Sequence, residues 1–163
     1  RMIAELMAVD QNPYNHQVVI NRGLSDGVYE GQPVLDRDGI VGQVQYVSAN
    51  TSRVLLLADV SHNIPVRVLR NNLNAVVSGT GSLSQLTINH ITHSADLQVG
   101  DLLVSSGLGK LFPEGYPVAK VAMIDKSQTT AFVAVSATPM ANLNQLKYLV
   151  LLWPQEERID GQP

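Results

Sequence analysis

Chemistry in this chain would have to come from its four histidines and the acids and hydroxyls near them. His90 and His93 form the close histidine pair. Side chains alternate faces along a strand, so a spacing of three puts the two rings on opposite sides. With no Cys to complete a ligand set, no metal centre is expected. Asp59-x-x-His62 and Ser105-Ser106-Gly107 supply the acid, base and hydroxyl of a nucleophilic triad, as in the paired barrels of trypsin-like proteases. The serines lie in no Gly-x-Ser-x-Gly context, and their turn has a counterpart at Asn21-Arg22-Gly23. A turn present twice is more simply structural. Ser106-Gly107-Leu108-Gly109-Lys110-Leu111 resembles a phosphate loop in part. It fails because Val104 stands at the first glycine position and Leu111 replaces the hydroxyl residue. The sequence therefore predicts no catalytic, cofactor-binding or metal residues.

What remains is the stretch from Gly109 to Tyr116, which sets Leu111, Phe112 and Tyr116 among turn residues. The chain has only two Phe and five Tyr, so two aromatics on one loop stand out. Two readings are open: Leu111 and Phe112 plug a barrel end, or Leu111, Phe112 and Tyr116 form an apolar anchor for another protein. Glu30 and Glu114, each beside a glycine, are expected to satisfy turn amides.

The elements that must position these residues are strands. Gln17–Ile20, Gly42–Val47 and Ala131–Val135 are short and rich in β-branched residues. Turn signals such as Asp10-Gln11-Asn12-Pro13, Asp36-Arg37-Asp38-Gly39 and Val99-Gly100-Asp101 bound them. Twelve strands are predicted, at 3–9, 17–22, 32–36, 40–47, 53–58, 64–69, 73–79, 86–91, 102–105, 117–124, 131–136 and 146–153. The last is apolar on both faces and reads as fully buried. Pro139 at a plausible first turn predicts a short helix over 140–145. Val44, Val54, Leu56, Val121, Val133 and Val135 are the predicted core.

An internal repeat organises the chain. Gly23-Leu24 and Glu30-Gly31-Gln32-Pro33-Val34 recur as Gly107-Leu108 and Glu114-Gly115-Tyr116-Pro117-Val118, all at one offset. After loss of the Asp36–Gly39 hairpin, Val41-x-x-Val44-x-x-Val47 matches Val118-x-x-Val121-x-x-Ile124. Gly23, Gly31, Gly107 and Gly115 are read as structural turns, with Gly23 and Gly107 placed at positive φ. The fold expected is all-β: two small related six-stranded β-barrels with trypsin-like architecture and no active site. Residues 1–60 plus 138–153 make the first, discontinuous barrel and 61–137 the second, with 154–163 a disordered tail. A tandem split near residue 95 is the rival partition.

Composition narrows the function. Hydrophobic residues make up 45% and charged ones 15%, against roughly 25% charged in an average soluble protein. So lightly charged a surface repels partners weakly. A net charge of −3 argues against a nucleic-acid footprint, which needs a basic face. No apolar run is long enough to span a bilayer, and the abrupt start at Arg1-Met2-Ile3 reads as a piece of something longer.

Val19-Ile20-Asn21-Arg22-Gly23-Leu24, Gly31-Gln32-Pro33-Val34, Gly39-Ile40-Val41-Gly42-Gln43-Val44 and Thr51-Ser52-Arg53-Val54-Leu55-Leu56-Leu57 follow in order. Val99-Gly100-Asp101, Ser106-Gly107-Leu108-Gly109 and Phe112-Pro113-Glu114-Gly115-Tyr116-Pro117-Val118 come later. Together they resemble the periplasmic region of the rod-shape-determining MreC family, in its Gram-negative branch, from about Ala4 to Trp153. The resemblance implies a non-enzymatic scaffold of the cell-elongation machinery, without cofactor, held to the inner membrane by an N-terminal helix absent from this chain. It implies as partners the elongation-specific penicillin-binding transpeptidase, MreD and RodA, and self-association into dimers or filaments, for which exposed strands or barrel faces are the expected surfaces. A degenerate protease-like barrel and a ligand-holding barrel are the rival functions.

Overall fold

The computed structural model describes residues 1–10, 16–127 and 129–154 of the 163. Most of the predicted Asp10–Pro13 turn, and the tail beyond Pro154, lie outside the described residues. Among the described residues twelve strands form: β1 (Met2–Val9), β2 (Gln17–Ile20), β3 (Pro33–Leu35), β4 (Ile40–Val47), β5 (Ser52–Leu56), β6 (Asn63–Val68), β7 (Asn74–Ser82), β8 (Gln85–Asn89), β9 (Leu102–Ser105), β10 (Pro117–Asp125), β11 (Ala134–Pro139) and β12 (Tyr148–Leu151). They close two antiparallel barrels, in cyclic order β1-β12-β3-β4-β5-β2 and β10-β11-β8-β7-β6-β9. The final strand thus returns to the first barrel, pairing Ala4 with Leu149 on one side and Leu35 with Val150 on the other. Because both barrels close, neither offers a whole free strand edge for a partner to extend, which leaves barrel faces and loops.

Alternation makes the core. Val44, Val54, Leu56, Val121, Val133 and Val135 all point inward and are buried, as the strand pattern predicts. β12 departs from its prediction: Leu149 and Leu151 are buried, but Tyr148 is 59% exposed. The predicted strand at 131–136 starts later, at Ala134, because Phe132 makes only an isolated bridge to Thr92.

The predicted helix over 140–145 does not form. Ala141 and Leu143 are buried while Asn142 and Asn144 are exposed, a period of two that suits extended chain. This connection is held by the hairpin that only the first repeat copy carries. Asp36 accepts from the amides of Asp38 (2.8 Å) and Gly39 (2.9 Å) through one oxygen, and from Asn142 (2.8 Å) through the other. A Cβ on Gly39 would lie 2.7 Å from the Pro117 carbonyl, so the hairpin seats directly on the second barrel. In the second copy the hairpin is missing and β10 runs unbroken through residues that match both β3 and β4. The repeat is therefore local. β9 pairs with β10, whereas their counterparts β2 and β3 are not neighbours.

Candidate interaction surface

The loop from Gly107 to Tyr116 leaves β9 through a left-handed Gly107 (φ 78°), passes a 3-10 turn over Leu108–Lys110, and enters β10 after Gly115 (φ 92°). Ser105 braces its two ends. The hydroxyl donates to the Pro113 carbonyl at 2.5 Å and accepts from the Tyr116 amide at 3.0 Å. Glu114 reaches Arg67 Nε at 3.3 Å instead of capping turn amides. Its counterpart Glu30 is exposed, and the amide of Tyr29 is met by the Gln32 side chain instead.

Of the predicted anchor residues, Leu111 is 57% exposed, Phe112 is 4% exposed and Tyr116 is half-buried against the core. Phe112 turns inward, into the core, with its ring 6.0 Å from that of His62 between centroids. In this arrangement Phe112 is a plug. The apolar groups facing outward on the loop are Leu108 and Leu111, each 57% exposed. Leu108 was absent from the predicted set, although its repeat partner Leu24, 69% exposed on the matching 3-10 turn, carries the same signal.

The glycines read as turns divide by cause. Gly31, Gly107 and Gly115 have positive φ, but Gly23 is extended (φ −147°). Gly23 is needed for space: a Cβ there would sit 2.4 Å from the Ser48 carbonyl oxygen.

The three residues with triad chemistry share no side-chain hydrogen bond with one another. Ser105 is engaged as above. Asp59 accepts from the amides of His16 and Ser61 and from the Ser61 hydroxyl. Burial works against its charge, but these bonds outweigh it and hold the carboxyl below the usual range. His62 Nε2 is enclosed without a protein partner, and burial pushes its pKa down to about 4 against a partial pull from Asp59. His90 packs edge-on to Phe132, and a ring nitrogen of His93 lies 2.9 Å from the Thr130 carbonyl.

A second surface, which periodicity did not flag, lies on the first barrel. Ile3 pairs with Val150 and Glu5 with Tyr148. Ile3 (63%), Met7 (59%) and Tyr148 (59%) are exposed on this seam. β1 carries apolar residues in both registers, with Glu5 the one charged residue of the outward one.

Comparison with known proteins places this geometry. Residues 6–153 match the family described as rod shape-determining protein MreC, barrel core. The chain belongs to the MreC family. It is 49% identical over 154 residues to the cell shape-determining MreC of Haemophilus influenzae, covering 94% of this chain and 44% of that one. The Escherichia coli MreC is 45% identical over 153 residues, covering 94% and 42%. Both agree with the Gram-negative branch. The chain spans less than half the length of these MreC relatives. The crystal structure of MreC from Pseudomonas aeruginosa superposes with a TM-score of 0.90 at 46% identity, over 93% of this chain and 98% of that one. The MreC chain in a complex of penicillin-binding protein PBP2 and MreC from Helicobacter pylori shares the fold, with a TM-score of 0.66 at 18% identity over 91% and 96%. Among the described residues no helix is long and apolar enough to cross a membrane.

Proposed function

We propose that this chain is the paired-barrel part of a periplasmic scaffold that maintains rod shape by docking the elongation-specific penicillin-binding transpeptidase, and that it is not an enzyme. The observation that carries this reading is the family's shape-determining role together with a relative of the same fold in complex with PBP2. The surface fits it. The candidate nucleophile and acid are each engaged in bracing the fold, while Leu108 and Leu111 face outward from a loop braced at its ends. The docking surface is then Leu108 and Leu111 with the exposed side of Tyr116. The β1–β12 seam of Ile3, Met7 and Tyr148 is the surface for homo-oligomers. An N-terminal helix in the inner membrane and contacts with MreD and RodA complete the scaffold as the family resemblance describes it.

Binding of the purified chain to the periplasmic region of the transpeptidase tests this reading. Burying one exposed leucine contributes about 1.5–3 kcal/mol, so Leu108→Glu with Leu111→Glu should weaken binding by at least about tenfold. Unchanged affinity in a folded double variant removes the loop from the interface. Sedimentation of Ile3→Lys with Tyr148→Lys tests the seam, which is wrong if self-association persists undiminished.

A further inference from the structure

His62 immediately precedes β6 and is 3% exposed. Its Nε2 is enclosed and meets no hydrogen-bond partner among the described residues, and the Phe112 ring lies 6.0 Å away between centroids, tilted by 60°. A neutral imidazole tolerates that setting, because its Nε2 can stay an unprotonated acceptor and forgo a single hydrogen bond. A protonated ring would bury a charged N–H donor with nothing to receive it, which is far more costly.

The cover above His62 is built to move. Its ends are pinned by the Ser105 bonds, by Ser106 N–H to the Pro65 carbonyl, and by Gly115 N–H to the Ser105 carbonyl. Between them, among the described residues, the bonds from Leu108 N–H to Ser106 Oγ and from Lys110 N–H to the Gly107 carbonyl stay within the loop. The middle of the loop is held down by the burial of Phe112. Left-handed Gly107, Gly109 and Lys110 precede that residue, so the hinge lies on its N-terminal side, opposite the pinned Pro113 and Gly115.

We propose that the Gly107–Tyr116 loop is an acid-opened cover: protonation of His62 lifts Phe112 off the ring and presents it beside Leu108 and Leu111. This rests on the reading of that loop as the docking surface, and it assigns that surface a regulator. Charged neighbours do not override the effect. Asp59, in the turn before His62, favours the protonated ring but less strongly than burial opposes it. His16 acts on Asp59 through its backbone amide and its charge. On β6 Arg67 is occupied by Glu114 of the loop, Lys110 is exposed, and β7 and β9 carry no titratable residue. The closed ring titrates near 4 and a freed one near its ordinary value of about 6.5. Between those limits the open-to-closed ratio rises about tenfold per pH unit as pH falls.

The experiment is a titration of the folded chain from about pH 7.5 to about pH 4.5 by two-dimensional NMR, with the pH range set by the histidine titration. It follows the amides of Gly107–Leu111 alongside those of β4 and β7. The loop amides should shift in one acid step while β4 and β7 hold. His62→Gln, which cannot charge, should abolish the step, and Asp59→Asn should move its midpoint to lower pH. A loop that stays put while the imidazole titrates, that moves equally in His62→Gln, or that moves only as β4 and β7 collapse overturns the proposal. If His62→Gln does not fold, Asp59→Asn decides, and an unmoved midpoint is fatal. Affinity for the transpeptidase's periplasmic region should rise about tenfold per pH unit of acidification within the window. A loop that opens without binding at any pH supports the cover and defeats the docking reading alone.

Discussion

Gly23 and Gly107 occupy equivalent places in the two repeat copies, yet the structure requires glycine at each for a different reason. At Gly107 the backbone is left-handed (φ 78°) and an added Cβ meets nothing nearer than Glu114 Cβ at 3.3 Å. Alanine there costs about 1–2 kcal/mol, the penalty of placing an L-residue in that region. At Gly23 the backbone is extended, and the added Cβ lands 2.4 Å from the Ser48 oxygen and 2.6 Å from the Thr51 nitrogen. The 48–51 turn must retreat by about 1 Å to restore ordinary contact. That retreat breaks Leu24 N–H to the Ser48 carbonyl (2.8 Å) and Ser25 N–H to the Ala49 carbonyl (2.9 Å). Two hydrogen bonds at about 1 kcal/mol each and overpacking at about 1–3 kcal/mol put Gly23→Ala near 3–5 kcal/mol. Asparagine separates the causes further. It tolerates left-handed backbone, so Gly107→Asn should be milder than Gly107→Ala, while Gly23→Asn should be worse than Gly23→Ala. Urea unfolding followed by Trp153, whose indole N–H donates to the Gly27 carbonyl beside this turn, reads the first barrel. Tryptophan is present once, so circular dichroism must follow the second. Equal costs at the two glycines, or asparagine rescue at Gly23, would refute the reasoning.

Other perturbations probe different parts of the fold. Leu103, fully buried in β9, should cost about 2–5 kcal/mol when truncated to alanine, measured by urea midpoint at constant slope. Asp36→Ala strips one acceptor group from three amides and should cost about 1–3 kcal/mol, with amide exchange rising at Asn142 as the specific signature. Arg70 makes two-pronged contacts to both Asp101 and Asp96, and its hydrogen bond holds the Asp101 carboxyl below the ordinary range. A carboxyl lowered by folding contributes stability above its unfolded value of about 3.9 and loses it as pH falls further. Melting temperature should therefore drop below that pH, and Arg70→Met should flatten this part of the profile.

The architecture was legible because strand alternation is short-range and the repeat is written in glycines and prolines. All six predicted core residues are buried, five on the inward register of a strand and Val133 just before β11. The predicted helix at 140–145 failed because Pro139 is the last residue of β11, so a signal that fits a helix start there ends a strand. Phe112 was ambiguous because a loop aromatic is placed by whatever cavity lies beneath it. Here the ring beside it is that of His62, a residue far away in the sequence. The extended backbone at Gly23 was hidden for the same reason: the turn that crowds it comes from residues 48–51. Ile3, Met7 and Val9 fall in the register of β1 that the barrel leaves outside, and apolar residues in both registers gave no sign of which that would be.

The hairpin at Asp36–Gly39 exists in one repeat copy and not in the other. Two interchangeable barrels would give a molecule that reads alike in both directions and presents every surface patch twice, once on each barrel. With the hairpin seated against Pro117 and Asn142, the two ends differ, so the molecule has a head and a tail. A contact made through the first barrel alone, such as the β1–β12 seam, then leaves the second barrel of each copy uncovered.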